Sequence, residues 1–202
     1  MSTPVYIAFE GAEGCGKSTQ ARRLAGALDA VLTRETGGTR IGQRLRAILH
    51  DTDVTDLNDH AETLIVAADR AQHLAEVVRP ALESGRHVVS DRSVYSTLAY
   101  QGYGRGLPVA DVRSINVWAV ADTWPDLVLL LTVPDNVTAR RMSKRELDRF
   151  ERAGDDFHRR VQNGFAEMAA ADPDRWVIVD ASGPIDKVSA TIRRAVSERL
   201  GV

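Results

Sequence analysis

Two groups of residues have types and spacings suited to handling phosphate, and a third to lining a nucleoside pocket. Gly11-Ala12-Glu13-Gly14-Cys15-Gly16-Lys17-Ser18-Thr19 follows the short apolar run Val5 to Phe9 and opens a helical pattern reaching about Leu28. It matches G-x-x-x-x-G-K-[ST] in the strand-loop-helix context that the motif requires. Glycines let successive backbone N–H groups turn inward around phosphate oxygens, and the helix N-terminus adds its partial positive charge. Lys17 reaches the outer phosphates, and Ser18 supplies a hydroxyl for Mg²⁺. Cys15 is either a reactive thiol beside a helix N-terminus or, as we read it, a small side chain filling the loop. Ser90-Asp91-Arg92 ends another apolar run. It places a carboxylate for a metal or its water, and a guanidinium fork for a phosphate, at the carboxyl end of a strand. Thr97, Tyr100 and Gln101 are spaced i, i+3 and i+4, so on a helix they share a face that can line a nucleoside pocket.

Those groups need a scaffold, and the rest of the sequence describes one. Val5–Phe9, Ala30–Arg34, His87–Ser90, Asp126–Val133 and Trp176–Val179 are the expected strands, apolar enough to be buried on both faces. Between them run helical periodicities, one from Leu57 to Leu82 and one from Ile185 to Leu200. Alternating strands and helices imply a parallel sheet with right-handed crossovers, an α/β fold with helices on both faces. At 202 residues the chain is expected to form a single domain, 1–202.

Composition narrows the function classes. Twenty-six Lys and Arg stand against twenty-eight Asp and Glu, so no global basic field is available to hold nucleic acid. No apolar run approaches the roughly 20 residues that span a bilayer, and Met-Ser-Thr-Pro lacks the basic start of a secretory leader. One cysteine excludes an internal disulfide framework, so the expected setting is the cytoplasm. His60, His73 and His158 are too scattered for a metal site and are expected to be structural. Positive charge is concentrated locally: Arg140 to Arg160 holds eight basic residues against five acidic ones.

Taken in order, five segments resemble the thymidylate kinase family. They are Phe9–Thr19, Thr33-Arg-Glu-Thr-Gly-Gly-Thr39, Ala67-Ala-Asp-Arg-Ala-Gln-His73, Asp91-Arg-Ser-Val-Tyr-Ser-Thr-Leu-Ala-Tyr-Gln-Gly102 and Leu147-Asp-Arg-Phe-Glu151. The resemblance implies a P-loop kinase three-layer fold, with five parallel strands flanked by helices and a short lid at about 142–155. It implies transfer of the ATP γ-phosphate to dTMP, giving dTDP, with Mg²⁺, in a homodimer. Residues 11–19 would bind ATP, and Ser18 and Asp91 the metal. Arg92 matches the position that grips the acceptor phosphate, Arg70 one that reaches the base, and Arg46 a further substrate-side arginine. Thr97 and Gln101 fall at base-reading positions, and Tyr100 under the deoxyribose. Glu13 falls near the acceptor sugar and the metal. Some members carry an arginine in the phosphate loop, but this loop has Gly14 and Cys15 at its centre. The resemblance to the bacterial lid therefore nominates Arg145 and Arg149 for the transferred phosphate.

Two departures bear on the substrate. Thr36 stands where the family commonly has proline, so a φ-fixing residue is missing and the loop is expected to be looser. Val66 stands where an aromatic ring would stack on thymine, which favours, as an alternative, a nucleoside monophosphate kinase of different base choice. A non-catalytic nucleotide-binding module is a further alternative, against which the complete set of Lys17, Ser18, Asp91 and Arg92 argues. Base stacking is worth roughly 1 to 3 kcal/mol. Where the pocket has room, Val66→Phe is therefore expected to tighten dTMP binding by about fivefold to a hundredfold; where neighbours already fill the space, overpacking costs about 1 to 3 kcal/mol of stability and the gain disappears. Titration calorimetry and a melting curve check this together, and unchanged affinity at unchanged stability would take residue 66 away from the base.

Overall fold

Five strands form one parallel sheet in the order β2-β3-β1-β4-β5. They are β1 Tyr6–Glu10, β2 Val31–Arg34, β3 Val88–Asp91, β4 Leu127–Thr132 and β5 Trp176–Asp180, each within one residue of its expected place at either end. The computed structural model describes residues 3–134, 137–138 and 148–202. β1 is buried throughout, and β3 and β4 nearly so. β2 and β5 are different: β2 alternates between half-buried and exposed, and β5 is covered mainly at Trp176 and Val179. The expectation of burial on both faces therefore fails at the two outer strands, because position in the sheet, which the sequence does not state, decides what covers them.

Parallel register does the first part of the positioning. Phe9 pairs with Asp91 on one side and with Leu129 on the other. The carboxyl ends of β1 and β3 thus lie side by side, and the loop leaving β1 faces Asp91 and Arg92. Because β1 is followed by β2 on one side of the sheet and joined by β4 on the other, this is the topological switch where open α/β sheets leave a crevice.

The helices among the described residues include α1 Lys17–Leu28, α2 Arg40–His50, α3 Asp59–His73, α4 Arg79–Glu83, α5 Val94–Thr97, α6 Val109–Val120, α7 Asp155–Ala171 and α8 Ile185–Leu200. Thr39 caps α2 by accepting from the Gly42 N–H at 2.9 Å, and Asn58 caps α3 by accepting from the His60 N–H at 2.9 Å. The long apolar periodicity to Leu82 is not one regular helix. Pro80 has no N–H to donate back along the ladder, and the π-helical stretch Leu74–Val78 lies just before it, joining α3 to α4. A second π-helical stretch, Leu98–Gly104, continues α5.

Strand alternation divides the core into two layers. Tyr6, Val88, Val128 and Leu130 face one side, where Val66, Tyr100, Phe157 and Phe165 pack on them. Ile7, Phe9, Val89, Leu127 and Leu129 face the other, against Leu24 of α1 and Val188, Ile192 and Val196 of α8. Phe165 is 2% exposed and meets Tyr100 edge-on with ring centroids 6.3 Å apart, so α7 backs the segment that carries Thr97, Tyr100 and Gln101. Truncating a buried phenylalanine costs about 3 to 5 kcal/mol. Phe165→Ala is expected to lower the thermal midpoint by about 6–20 °C in calorimetry; an unshifted midpoint would mean that this layer is not packed as described.

Candidate active site

The loop after β1 has glycine where only glycine serves. Gly11 and Gly16 have φ of 135° and 100°, and a Cβ on Gly11 would run into the Leu131 carbonyl oxygen. Cys15 is 1% exposed, which fits a side chain filling the loop from beneath rather than an accessible thiol. Lys17 opens α1, and its ammonium spans the loop, donating to the carbonyl oxygens of Gly11 at 3.0 Å and Ala12 at 2.7 Å. The Ser18 hydroxyl donates to the Asp91 carboxylate. These two groups are far apart in sequence, and the β1–β3 register has brought them into contact. Both are hard oxygen donors, the chemistry that suits Mg²⁺ when substrate phosphates and water complete its shell.

Arg92 joins the loop after β1 to Ser96 and Tyr100. It adopts φ of 73°, unusual for a residue with a side chain. Its guanidinium donates to Ser96 Oγ at 3.0 Å, to the Tyr100 hydroxyl at 3.0 Å, to the Gly11 carbonyl at 3.4 Å and to Glu13, with which it forms an ion pair. Burial works against its charge, but Glu13, Tyr100, Glu10 and Asp91 more than offset this and hold its pKa above the ordinary arginine value. The turn beneath Arg92 is fixed by Glu10, which sequence reading missed. Its fully buried carboxylate accepts from the N–H and hydroxyl of Ser93, both at 2.8 Å, and from the Ser96 hydroxyl at 2.6 Å. Burial raises its pKa above the usual carboxylate value despite the nearby arginine.

Arg70 forms the floor. Only 2% exposed, it donates to Glu35 and Thr97 Oγ1 at 2.8 Å each, to Asn116 Oδ1 at 2.5 Å and to the Ser93 carbonyl at 3.0 Å. Its partners come from four segments: the end of β2, the turn before α5, α5 itself and α6. Glu35 also bonds His73 Nδ1 at 2.8 Å, while His73 Nε2 lies 2.6 Å from Thr33 Oγ1, so His73 has a structural place. Burial pushes the Glu35 carboxyl up, and Arg70 with His73 more than reverses it, leaving the carboxyl below its ordinary range. Val66, one turn before Arg70, is 7% exposed and lines the same cavity, as do Leu49 and Phe150. Thr97, Tyr100 and Gln101 all reach that cavity too, although the last two sit in the π-helical stretch rather than in α-helix.

The loop carrying Thr36 is tied down rather than loose. Gly37 donates its N–H to Asp69 Oδ1 at 2.9 Å, and Arg46 donates to both the carbonyl and hydroxyl oxygens of Thr36 at 3.2 Å. Side-chain anchors thus do what the missing proline was expected to do. Arg46 and Arg34 both line the cavity. Burial, then the neighbouring Arg34 charge, lowers the Arg46 pKa, an arrangement that an anion would relieve. Arg34, at the end of β2, was not singled out from sequence, since a lone arginine ending a strand carries no signature.

The two arginines nominated for the transferred phosphate fall differently. Arg145 lies outside the described residues. Arg149 is not among the residues lining the cavity; it donates to the Leu49 carbonyl at 2.9 Å and to the buried Glu62 carboxylate at 2.5 Å. The segment's contribution to the cavity is instead Asp148, Phe150 and Glu151.

Together these residues enclose one cavity of about 580 Å³, with the phosphate loop at one end and Arg70 at the other. A glycine loop between strand and helix, a serine against a strand-end carboxylate, and a 2-3-1-4-5 parallel sheet define a P-loop nucleotide-binding enzyme of the kinase type. Comparison with known proteins is specific within that class. The thymidylate kinase family model matches residues 9–192. The thymidylate kinase of Bifidobacterium longum is 43% identical, with 96% of this chain and 98% of the relative covered. That of Desulfovibrio desulfuricans is 44% identical, with 97% and 96% covered. The crystal structure of thymidylate kinase from Ehrlichia chaffeensis matches with a TM-score of 0.79 at 28% identity, covering 96% of this chain and 98% of that one. The chain belongs to the thymidylate kinase family.

The Glu35–Arg70 pair gives a pH-dependent expectation. A carboxyl whose folded pKa is depressed contributes stability above its unfolded value of about 4.3, and that contribution is lost as pH falls through the folded value. Breaking a buried pair costs about 3 kcal/mol or more. Glu35→Gln should be less stable than the parent by about that amount near pH 7, and the gap should narrow below about pH 4. Denaturant unfolding across that range measures it; a gap that does not change with pH would show that Glu35 is not the ionised partner.

Proposed function

We propose that this enzyme transfers the γ-phosphoryl group of ATP to dTMP, giving dTDP and ADP. The observation that carries the reading is the cavity joining a phosphate loop to a buried, polar nucleoside-sized pocket through Arg92. One end suits the donor phosphates and the other a base and sugar, with the acceptor phosphate between them.

An acceptor phosphate is ionised at neutral pH, so no general base is needed, and the task is alignment and neutralisation of crowded negative charge. In this reading the N–H groups of residues 11–19 bind the ATP phosphates, and Lys17 exchanges its loop carbonyls for phosphate oxygens as charge moves. Ser18 and Asp91 would hold Mg²⁺, which when bound draws the donor oxygens together and offsets their charge. Arg92, already paired with Tyr100 and Glu13, grips the acceptor phosphate, with Arg46 and Arg34 adding positive charge. Tyr100 closes the sugar side, where a 2′-hydroxyl would crowd it, and Thr97, Gln101 and Arg70 face the base above Val66. Lid assistance from Arg145 remains part of the proposal; Arg149 would have to leave Glu62 to contribute directly.

A homodimer is included in the proposal. Leu64 of α3 and Val117 and Trp118 of α6 are exposed apolar residues on two helices that pack together, a surface that a second copy would cover. The proposed setting is the cytoplasm, supported by the unpaired cysteine; no described helix is long and apolar enough to cross a membrane.

ADP release measured with each nucleoside monophosphate in turn tests the reaction: dTMP should stimulate it, and silence across the panel would refute the reading. Lys17 acts mainly on charge that develops during transfer. Lys17→Ala is accordingly expected to lose at least about a hundredfold in turnover, on the order of 3 kcal/mol, with a smaller change in dTMP affinity. Near-normal turnover would remove the loop from the catalytic step.

A further inference from the structure

Glu62, in the first turn of α3, has no apparent signature in the sequence, yet its carboxylate is 0% exposed and saturated with donors. Oε1 accepts from Gln101 Nε2 at 2.8 Å and Arg105 Nε at 3.2 Å; Oε2 accepts from Arg105 at 3.0 Å and Arg149 at 2.5 Å. Burial pushes this carboxyl up, but bonds from Arg105, Gln101 and Arg149 and the Arg105 charge more than reverse it, so it stays ionised.

An ionised carboxylate can only accept hydrogen bonds, so the amide of Gln101 must present its NH₂ to Glu62. Gln101 Oε1 is then turned the other way. It receives no hydrogen bond from the described residues and is not sealed off, while Gln101 itself lines the cavity. Nearby, Arg70 has four of its five N–H groups engaged by Glu35, Thr97, Asn116 and Ser93, leaving one on Nη2.

We propose that Glu62 is a positioning residue for base choice: by locking the Gln101 amide with its oxygen toward the pocket, it makes the site accept a pyrimidine whose N3 carries a hydrogen and reject one whose N3 is a bare acceptor. The inference rests on the reading of the site as a dTMP kinase. A base with a lone pair at N3 would face the amide oxygen's lone pairs, leaving two desolvated acceptors opposed, the kind of mismatch that discriminates strongly. Arg105 and Arg149 enter as the cations that keep Glu62 ionised.

The test compares kcat/KM for dTMP and dCMP in the parent and in Glu62→Gln. A neutral amide at 62 both donates and accepts, so the Gln101 amide can turn over. The dTMP-to-dCMP preference is expected to fall about tenfold or more, with KM for ATP unchanged. An equal loss for both nucleotides, with the preference intact, would make Glu62 merely structural and overturn the proposal. In a Gln101→Leu background the same substitution should leave the preference unmoved, and an undiminished effect there would equally overturn it. Should Glu62→Gln fail to fold, the parent still decides: the Gln101 side-chain N–H signals should exchange slowly with solvent in NMR, and fast exchange would refute the lock. Absence of turnover with every monophosphate would instead refute the proposed reaction, and leaves the NMR result to judge the lock.

Discussion

Arg70 sets the terms for the rest of the site. A guanidinium placed at 2% exposure must recover the hydration it has lost, and it does so through Glu35, Thr97, Asn116 and the Ser93 carbonyl. To satisfy one side chain, the end of β2, the entry to α5, α5 and α6 must all converge on α3. The pocket floor therefore exists because a charge is buried there, and the surrounding segments have little freedom to move without exposing an unpaired group. His73, one turn further along α3, extends the same constraint to Thr33 on β2.

The opposite end of the cavity is organised by a different balance. Lys17 rests on loop carbonyls, Arg92 on Glu13, Tyr100 and Ser96, and Arg46 on Thr36, so each cation has a partner that a phosphate oxygen could replace. Glu10 lies beneath, a buried carboxylate whose bonds to Ser93 and Ser96 fix the turn from which Arg92 projects. Electrostatic preorganisation of this kind lowers reorganisation at the moment of transfer, and it depends on groups brought together by the β1–β3 register.

Where the chain departs from its family, neighbouring groups respond. Thr36 gains two bonds from Arg46, and Gly37 one from Asp69, so the loop is held by side chains instead of a proline ring. Val66 offers an apolar surface smaller than a ring, but Leu49, Tyr100 and Phe150 pack in the same layer and line the same cavity. Phe150 lies edge-on to Tyr100 at 6.0 Å and to His50 at 5.3 Å, which brings an aromatic ring into the pocket wall.

What the sequence determined by itself is what local chemistry dictates. The glycine loop with Lys17 and Ser18 was legible because phosphate binding demands those residue types at that spacing, and the strands were legible because central parallel strands read as unbroken apolar runs. Asp91 and Arg92 were legible from their place at a strand end. Strand order was not, so the partial exposure of β2 and β5 could be known only from the sheet. Nor were Glu10, Glu35, Glu62 and Asn116 legible, since a lone polar residue in an apolar context has no pattern until its partner is adjacent. Arg149 shows the same limit from the other side: the family resemblance nominated it for a phosphate contact, and only the tertiary structure shows Glu62 within 2.5 Å of it. Buried polar groups are placed by pairing across long sequence separations, and only the tertiary structure decides which of the possible pairs are close enough to form.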